Sequence, residues 1–161
     1  MIVVVMGVTG SGKTTVGSLL AAQLGWEFAD ADEFHPEANV AKMAQGVALT
    51  DADREPWLAA LHAAISSWLA VGKNVVLACS ALKRSYREKL GVGGAVRLVY
   101  LKGSYELVAA RLKERLGHFA TEAILADQYA TLEEPQDAVT VDVKALPEEV
   151  VREVEGRLGL Q

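Results

Sequence analysis

The sequence predicts an α/β fold, a five-stranded parallel sheet with helices on both faces. Three observations predict it. Short runs of β-branched and aliphatic residues alternate with longer segments whose apolar residues recur at helical spacing. The first run, Ile2-Val3-Val4-Val5-Met6, is apolar throughout, as a strand covered on both faces must be. It feeds into Gly7-Val8-Thr9-Gly10-Ser11-Gly12-Lys13-Thr14, which has the glycine, lysine and threonine spacing of a phosphate-binding loop between a strand and a helix.

The remaining elements follow in order. Val16, Leu19, Leu20 and Leu24 make one face of a helix over Lys13–Leu24, and Glu27–Ala29 reads as the second strand. A helix over Pro36–Gln45 and a long one over Asp51–Val71 come next. Trp57, Leu61, Ile65 and Trp68 form the apolar stripe of the long helix, while Pro56 leaves its start open by several residues. Asn74–Ala78 and Val96–Leu101 are strands, with a helix over Leu82–Leu90 between them. Helices over Ser104–Glu114 and Thr121–Thr131 precede the last strand, Val139–Val143. Pro147 suits the first turn of a final helix reaching Leu158. Gly117 to Gln136 interrupts the strand-helix rhythm and reads as a lid inserted in a single domain spanning residues 1–161.

Composition bounds the function. At 51% hydrophobic and 23% charged residues, the 161-residue chain has the make-up of a globular domain with one core. A net charge of -5 argues against a broad nucleic-acid footprint. The lone Cys79 excludes an intrachain disulfide and fits a reducing compartment. No stretch is long and apolar enough for a membrane span, and the N-terminus lacks a basic leader, so a cytoplasmic location is expected.

The glycine-rich loop carries the first chemistry. Gly7, Gly10 and Gly12 let successive backbone N–H groups point at phosphate oxygens, and the following helix adds its positive end. Together with Thr9, Ser11 and Thr15 they form the expected ATP-binding set. Lys13 reaches the β- and γ-phosphates, and the Thr14 hydroxyl is a ligand for Mg²⁺.

Other constellations lie where ligands bind in open parallel sheets, beyond the carboxyl ends of strands. Asp30 and Asp32 follow the second strand. One suits Mg²⁺ through water and the other suits taking a proton from an attacking hydroxyl, with Asp30 favoured for the metal and Asp32 for the proton; the bland alternative is a turn cap. His35 and Lys42 are candidates for substrate contact, against the plainer reading of a solvated helix. Arg54 suits bidentate recognition of a carboxylate, its alternative being an ion pair with Asp51 or Asp53. Lys83 and Arg87, four apart, offer a joint anion site after the third strand. Cys79 lacks a partner histidine and reads as a small buried residue. Arg111 and Arg115, also four apart, enter the lid, where Arg115 suits charge stabilisation during phosphoryl transfer.

Taken together, these residues resemble the gluconate kinase family of P-loop small-molecule kinases over nearly the whole length. The resemblance rests on the phosphate loop, Asp30-Ala31-Asp32 with His35-Pro36 and Asn39, Lys42-Met43-Ala44, and Asp51 to Leu58. It continues through Cys79-Ser80-Ala81-Leu82-Lys83, Tyr86-Arg87, Tyr100 to Gly103, Gly117-His118-Phe119, and Gln128 to Pro135. It implies ATP-dependent phosphorylation of D-gluconate to 6-phospho-D-gluconate, and commonly a homodimer. Ala120 and Asp127, both in the lid, depart from the family pattern. Shikimate kinase is the nearest rival, but there a glycine-rich turn is expected where Cys79 to Lys83 stands. A nucleotide-dependent switch would want Asn-Lys-x-Asp, which the sequence lacks.

Overall fold

A computed structural model describes residues 1–116 and 119–160, the side chains of 115–116 and 119–121 excepted. Strands β1 (Ile2–Met6), β2 (Glu27–Asp30), β3 (Val75–Ala78), β4 (Val96–Lys102) and β5 (Val139–Asp142) form one sheet in the order β2-β3-β1-β4-β5. Every pairing is parallel. The helices are α1 (Lys13–Leu24), α2 (Glu37–Ala44), α3 (Asp51–Ala70), α4 (Arg84–Leu90), α5 (Tyr105–Leu116), α6 (Phe119–Thr131) and α7 (Pro147–Leu158).

Period-two alternation along β1 builds both halves of the core. Ile2, Val4 and Met6 join Trp57, Leu58, Leu61 and Ile65 of α3 and Tyr86 and Leu90 of α4 on one face. Val3 and Val5 meet Val16 and Leu20 of α1 and Val150, Val151 and Val154 of α7 on the other. A third cluster, Val8, Leu82, Val108, Leu112 and Leu125, places α5 and α6 against the phosphate loop.

Two features depart from the sequence reading, and the start it left open for the long helix is settled, each for a physical reason. The long helix starts at Asp51, where Thr50 and Asp53 form a reciprocal capping box. Pro56 stays inside it because the exposed face there leaves the Ala52 carbonyl to water, while Trp57 and Leu58 are buried. Helix α4 begins at Arg84 rather than Leu82, since Leu82 is drawn into the third cluster. The turn before it puts Ala81 at φ +46, the one non-glycine residue with positive φ among those described. A 3₁₀ turn at Ala31–Phe34, absent from the sequence reading, follows β2.

Candidate functional site

The phosphate loop leaves β1 at the carboxyl end of the sheet and enters α1. Its shape needs glycine. Gly10 and Gly12 have φ of +76 and +99. A Cβ at Gly7 would meet Ser11 Oγ at 2.5 Å, and one at Gly10 would meet Leu112 at 2.6 Å. Lys13 lies across the loop, its Nζ donating to the carbonyls of Gly7 at 3.0 Å and Val8 at 2.9 Å. Burial pulls its amine below the usual lysine range, and the carboxylates of Asp32 and Asp30 oppose that shift. Those carboxylates, at the end of β2, therefore share the field of the loop lysine. The Ser11 hydroxyl is buried without a partner, a polar atom left over inside the cradle. Thr14 and Thr15 stand exposed on the first turn of α1.

Asp30 caps the 3₁₀ turn, its Oδ1 accepting from the Asp32 N–H at 2.9 Å. The plainer alternative for this residue thus holds for one of its oxygens. Asp32 is exposed on the same turn. The turn is locked from below, where Trp57 Nε1 donates to the Ala31 carbonyl at 2.7 Å.

A network ties α2 to the start of α3. His35 stacks on Trp57 with ring centroids 4.4 Å apart. Asn39 Nδ2 donates to the Asp53 carbonyl at 2.8 Å and lies 3.1 Å from His35 Nδ1. Since a carbonyl only accepts, this nitrogen is the amide donor, so His35 Nδ1 accepts and the ring proton sits on Nε2. Burial lowers the His35 pKa. Lys42 donates to both Asp53 oxygens at 2.9 Å. Hydrogen bonds from Thr50 and Lys42 bring the Asp53 carboxyl down to about 2. The Lys42 charge is thereby engaged in holding α2 rather than standing free.

The second cluster sits where α3 and α4 begin. Tyr86 donates its phenol proton to Asp51 Oδ1 at 2.5 Å, and Lys83 Nζ reaches both Asp51 oxygens at 3.1 Å. Arg54 Nη1 donates to the Tyr86 oxygen at 3.1 Å and stands 3.7 Å from Asp51 Oδ1. Both cations lie over the Tyr86 ring, at 5.6 and 5.5 Å from its centroid. The ion pair of Arg54 with Asp51 weighed as an alternative is present, but Asp51 is 67% exposed, so that carboxylate is exchangeable.

Arg87 does not join Lys83 in an anion site. Its guanidinium is buried and turned inward, Nη1 donating to the Ala81 and Leu82 carbonyls and Nη2 to that of Glu133. It is a structural residue. Arg111 donates through Nη2 to the Val143 carbonyl, which anchors α5 beside the end of β5. The Arg115 side chain, Gly117 and His118 lie outside the described residues. The second half of the expected lid is tied to the body: Glu133 N–H donates to the Leu82 carbonyl at 2.8 Å and Tyr129 to that of Gly103 at 2.7 Å. Cys79 is fully buried and burial pushes its thiol up to about 12, so it is no nucleophile at neutral pH.

Comparison with known proteins places the chain in a family. A model described as an AAA domain matches residues 2–135. The chain is 47% identical over 155 residues to the gluconokinase of Gluconobacter oxydans, covering 94% of this chain and 87% of that protein. The chain belongs to the gluconokinase family. A crystal structure of a gluconokinase from Sinorhizobium meliloti superposes with a TM-score of 0.86 at 45% identity, covering 98% of this chain and 90% of that one. A shikimate kinase from Aquifex aeolicus gives a TM-score of 0.60 at 22% identity, a likeness of fold alone. The residues of the Asp51 cluster and of the α2 network that sequence reasoning did not single out are Tyr86 and Asn39. Each stood inside a quoted motif; the spacing of Tyr86 three residues after Lys83 was the available signal for it.

Proposed function

We propose that this chain transfers the γ-phosphoryl group of ATP to the primary hydroxyl of D-gluconate, forming 6-phospho-D-gluconate. One observation carries the reading beyond phosphate binding. Three donors, on Arg54, Lys83 and Tyr86, surround a single carboxylate, that of Asp51, and the charges of Arg54 and Asp32 both act on the His35 ring. A sugar acid presents such a carboxylate together with hydroxyls.

In this reading the loop amides and Lys13 hold the phosphates. Asp32 orients the reacting hydroxyl and accepts its proton. Arg54 and Lys83, with Tyr86 between them, take the carboxylate, and His35 presents its Nε2 proton to a substrate oxygen. Lys42 acts through Asp53, holding α2 in place. Arg115 offsets charge on the phosphoryl group in transit, and Arg111 supports the nucleotide side. Thr14 and the free oxygen of Asp30 are hard oxygen donors that fit Mg²⁺, which prefers one or two such ligands plus substrate phosphates. Bound there, Mg²⁺ supplies neutralising charge on the β- and γ-phosphates. We read the protein as cytoplasmic and homodimeric, without nucleic-acid or membrane partners. Among the described residues no helix is long and apolar enough to cross a membrane.

The test is ADP release from purified protein with ATP, Mg²⁺ and a panel of sugar acids, shikimate and nucleoside monophosphates. Turnover is expected with gluconate and little with the others, because donors of the site go unpaired against a ligand that does not match them. Turnover of shikimate without gluconate overturns the reading.

A further inference from the structure

We infer that Gln128 is a positioning residue of the phosphate loop: its side-chain carbonyl holds the Thr9 N–H and keeps the loop in the form that accepts ATP. The two residues are 119 apart in sequence, yet Gln128 Oε1 accepts from the Thr9 N–H at 2.6 Å. Nothing in the catalytic assignments above uses this contact.

The contact is built rather than incidental. Gln128 lies on α6 between two fixed points. Leu125, one turn earlier, is fully buried against Val8, Val108 and Leu112. Tyr129, the next residue, donates to the Gly103 carbonyl at the end of β4. The loop is pinned on the same side, since Gly10 lies so close to Leu112 that a Cβ would collide with it. Within the loop itself, the Ser11 N–H takes the Val8 carbonyl at 3.2 Å, and the Thr9 N–H depends on Gln128. A backbone N–H in such a setting must find an acceptor. Without the Gln128 oxygen it turns to water or to another carbonyl, and the loop spends part of its time in forms that do not match the phosphates. Apparent ATP affinity then falls by the fraction of loop that stays competent. Gluconate contacts none of these groups in the reading above, so its KM is expected to hold.

The inference rests on the loop binding ATP. Wild-type calorimetry with ATP and Mg²⁺ checks that separately: no binding there sinks the ATP reading, whatever the variants do. Two variants test Gln128. Gln128→Met keeps the length and removes the strong acceptor. ATP is expected to bind about tenfold more weakly, the competent loop falling to about one tenth. The KM for gluconate should stay within about twofold and the melting temperature within about 2 °C. Gln128→Glu keeps an acceptor and adds a negative charge near the phosphates. Its ATP affinity should fall at low salt and recover towards wild type at about 0.5 M salt, where that charge is screened. Unchanged ATP affinity in folded Gln128→Met overturns the inference. So does a parallel loss for ATP and gluconate with a lowered melting temperature, which marks a merely structural contact. If Gln128→Met does not fold, Gln128→Glu decides: recovery with salt supports the inference, and persistent weak binding at high salt overturns it.

Discussion

The two sides of the site are made in opposite ways. On the phosphate side of the proposed site the groups on offer are backbone amides, shaped by glycines of which Gly7 and Gly10 have no room for a side chain. On the proposed acceptor side they are the side chains of Arg54, Lys83 and Tyr86, all engaged by Asp51, with Lys42 and Asp53 paired behind them. The first surface is pre-formed and short in sequence. The second is assembled from α2, α3 and α4, and in the proposed function its charges change partners when a substrate arrives. A pre-formed cradle undergoes little reorganisation when phosphates arrive, whereas an exchangeable cluster must first be freed from its own acids.

Substitutions on each side sharpen that contrast. The largest effect is expected for Lys13→Ala, which should lower kcat by about 10³-fold or more with the fold retained, because the lost charge acts as phosphates develop charge. Near-normal turnover in a folded variant breaks the assignment. Arg54→Ala should act on the other parameter, raising the KM for gluconate by about 10- to 100-fold and leaving that for ATP nearly unchanged, as expected for one charge-assisted hydrogen bond to a carboxylate. Equal effects on both constants would mean that the two sides are not separable.

Asp51→Asn probes the exchange itself. If the Asp51 carboxylate occupies the donors that the substrate needs, its neutralisation should lower the KM for gluconate by about two- to fivefold, the scale of an exposed ion pair. A raised KM instead makes Asp51 an aligning group. The smallest effect concerns His35, whose pKa is lowered chiefly by burial, opposed by Asp32 and reinforced by Arg54. The unfolded chain takes up a proton near pH 6.5 that the folded chain resists, so stability falls as pH drops through that value. His35→Gln should flatten the loss of melting temperature between pH 7.5 and 5.5 by about 2 °C. An unchanged slope in the variant assigns the acid limb to other groups.

The same contrast explains what could be read from sequence. All five strands and the helix order were legible because each is a local pattern, and the phosphate loop because its chemistry lies in consecutive residues. The acceptor side was legible by residue type but not by partner. Arg54 meets Tyr86 across 32 positions and Asn39 meets Asp53 across 14, and no periodicity encodes such pairs. That Arg87 lies apart from Lys83 was not legible for this reason: four-residue spacing places two side chains near one helix face but does not show that one of them turns back beneath it. The 3₁₀ turn at Ala31–Phe34 was too short to show a period.

Arg87 also sets a limit on how this chain can vary. A single planar fork joins the left-handed turn at Ala81 to the chain at Glu133, adding to the Glu133 N–H bond to the Leu82 carbonyl and the Arg84 N–H bond to the Glu133 carboxylate. A lysine carries the same charge but cannot present donors in two fixed directions at once. An Arg-to-Lys exchange at this position, harmless by any scale of amino-acid similarity, would leave the turn that carries Lys83 tied to the chain after α6 only through Leu82 and Arg84.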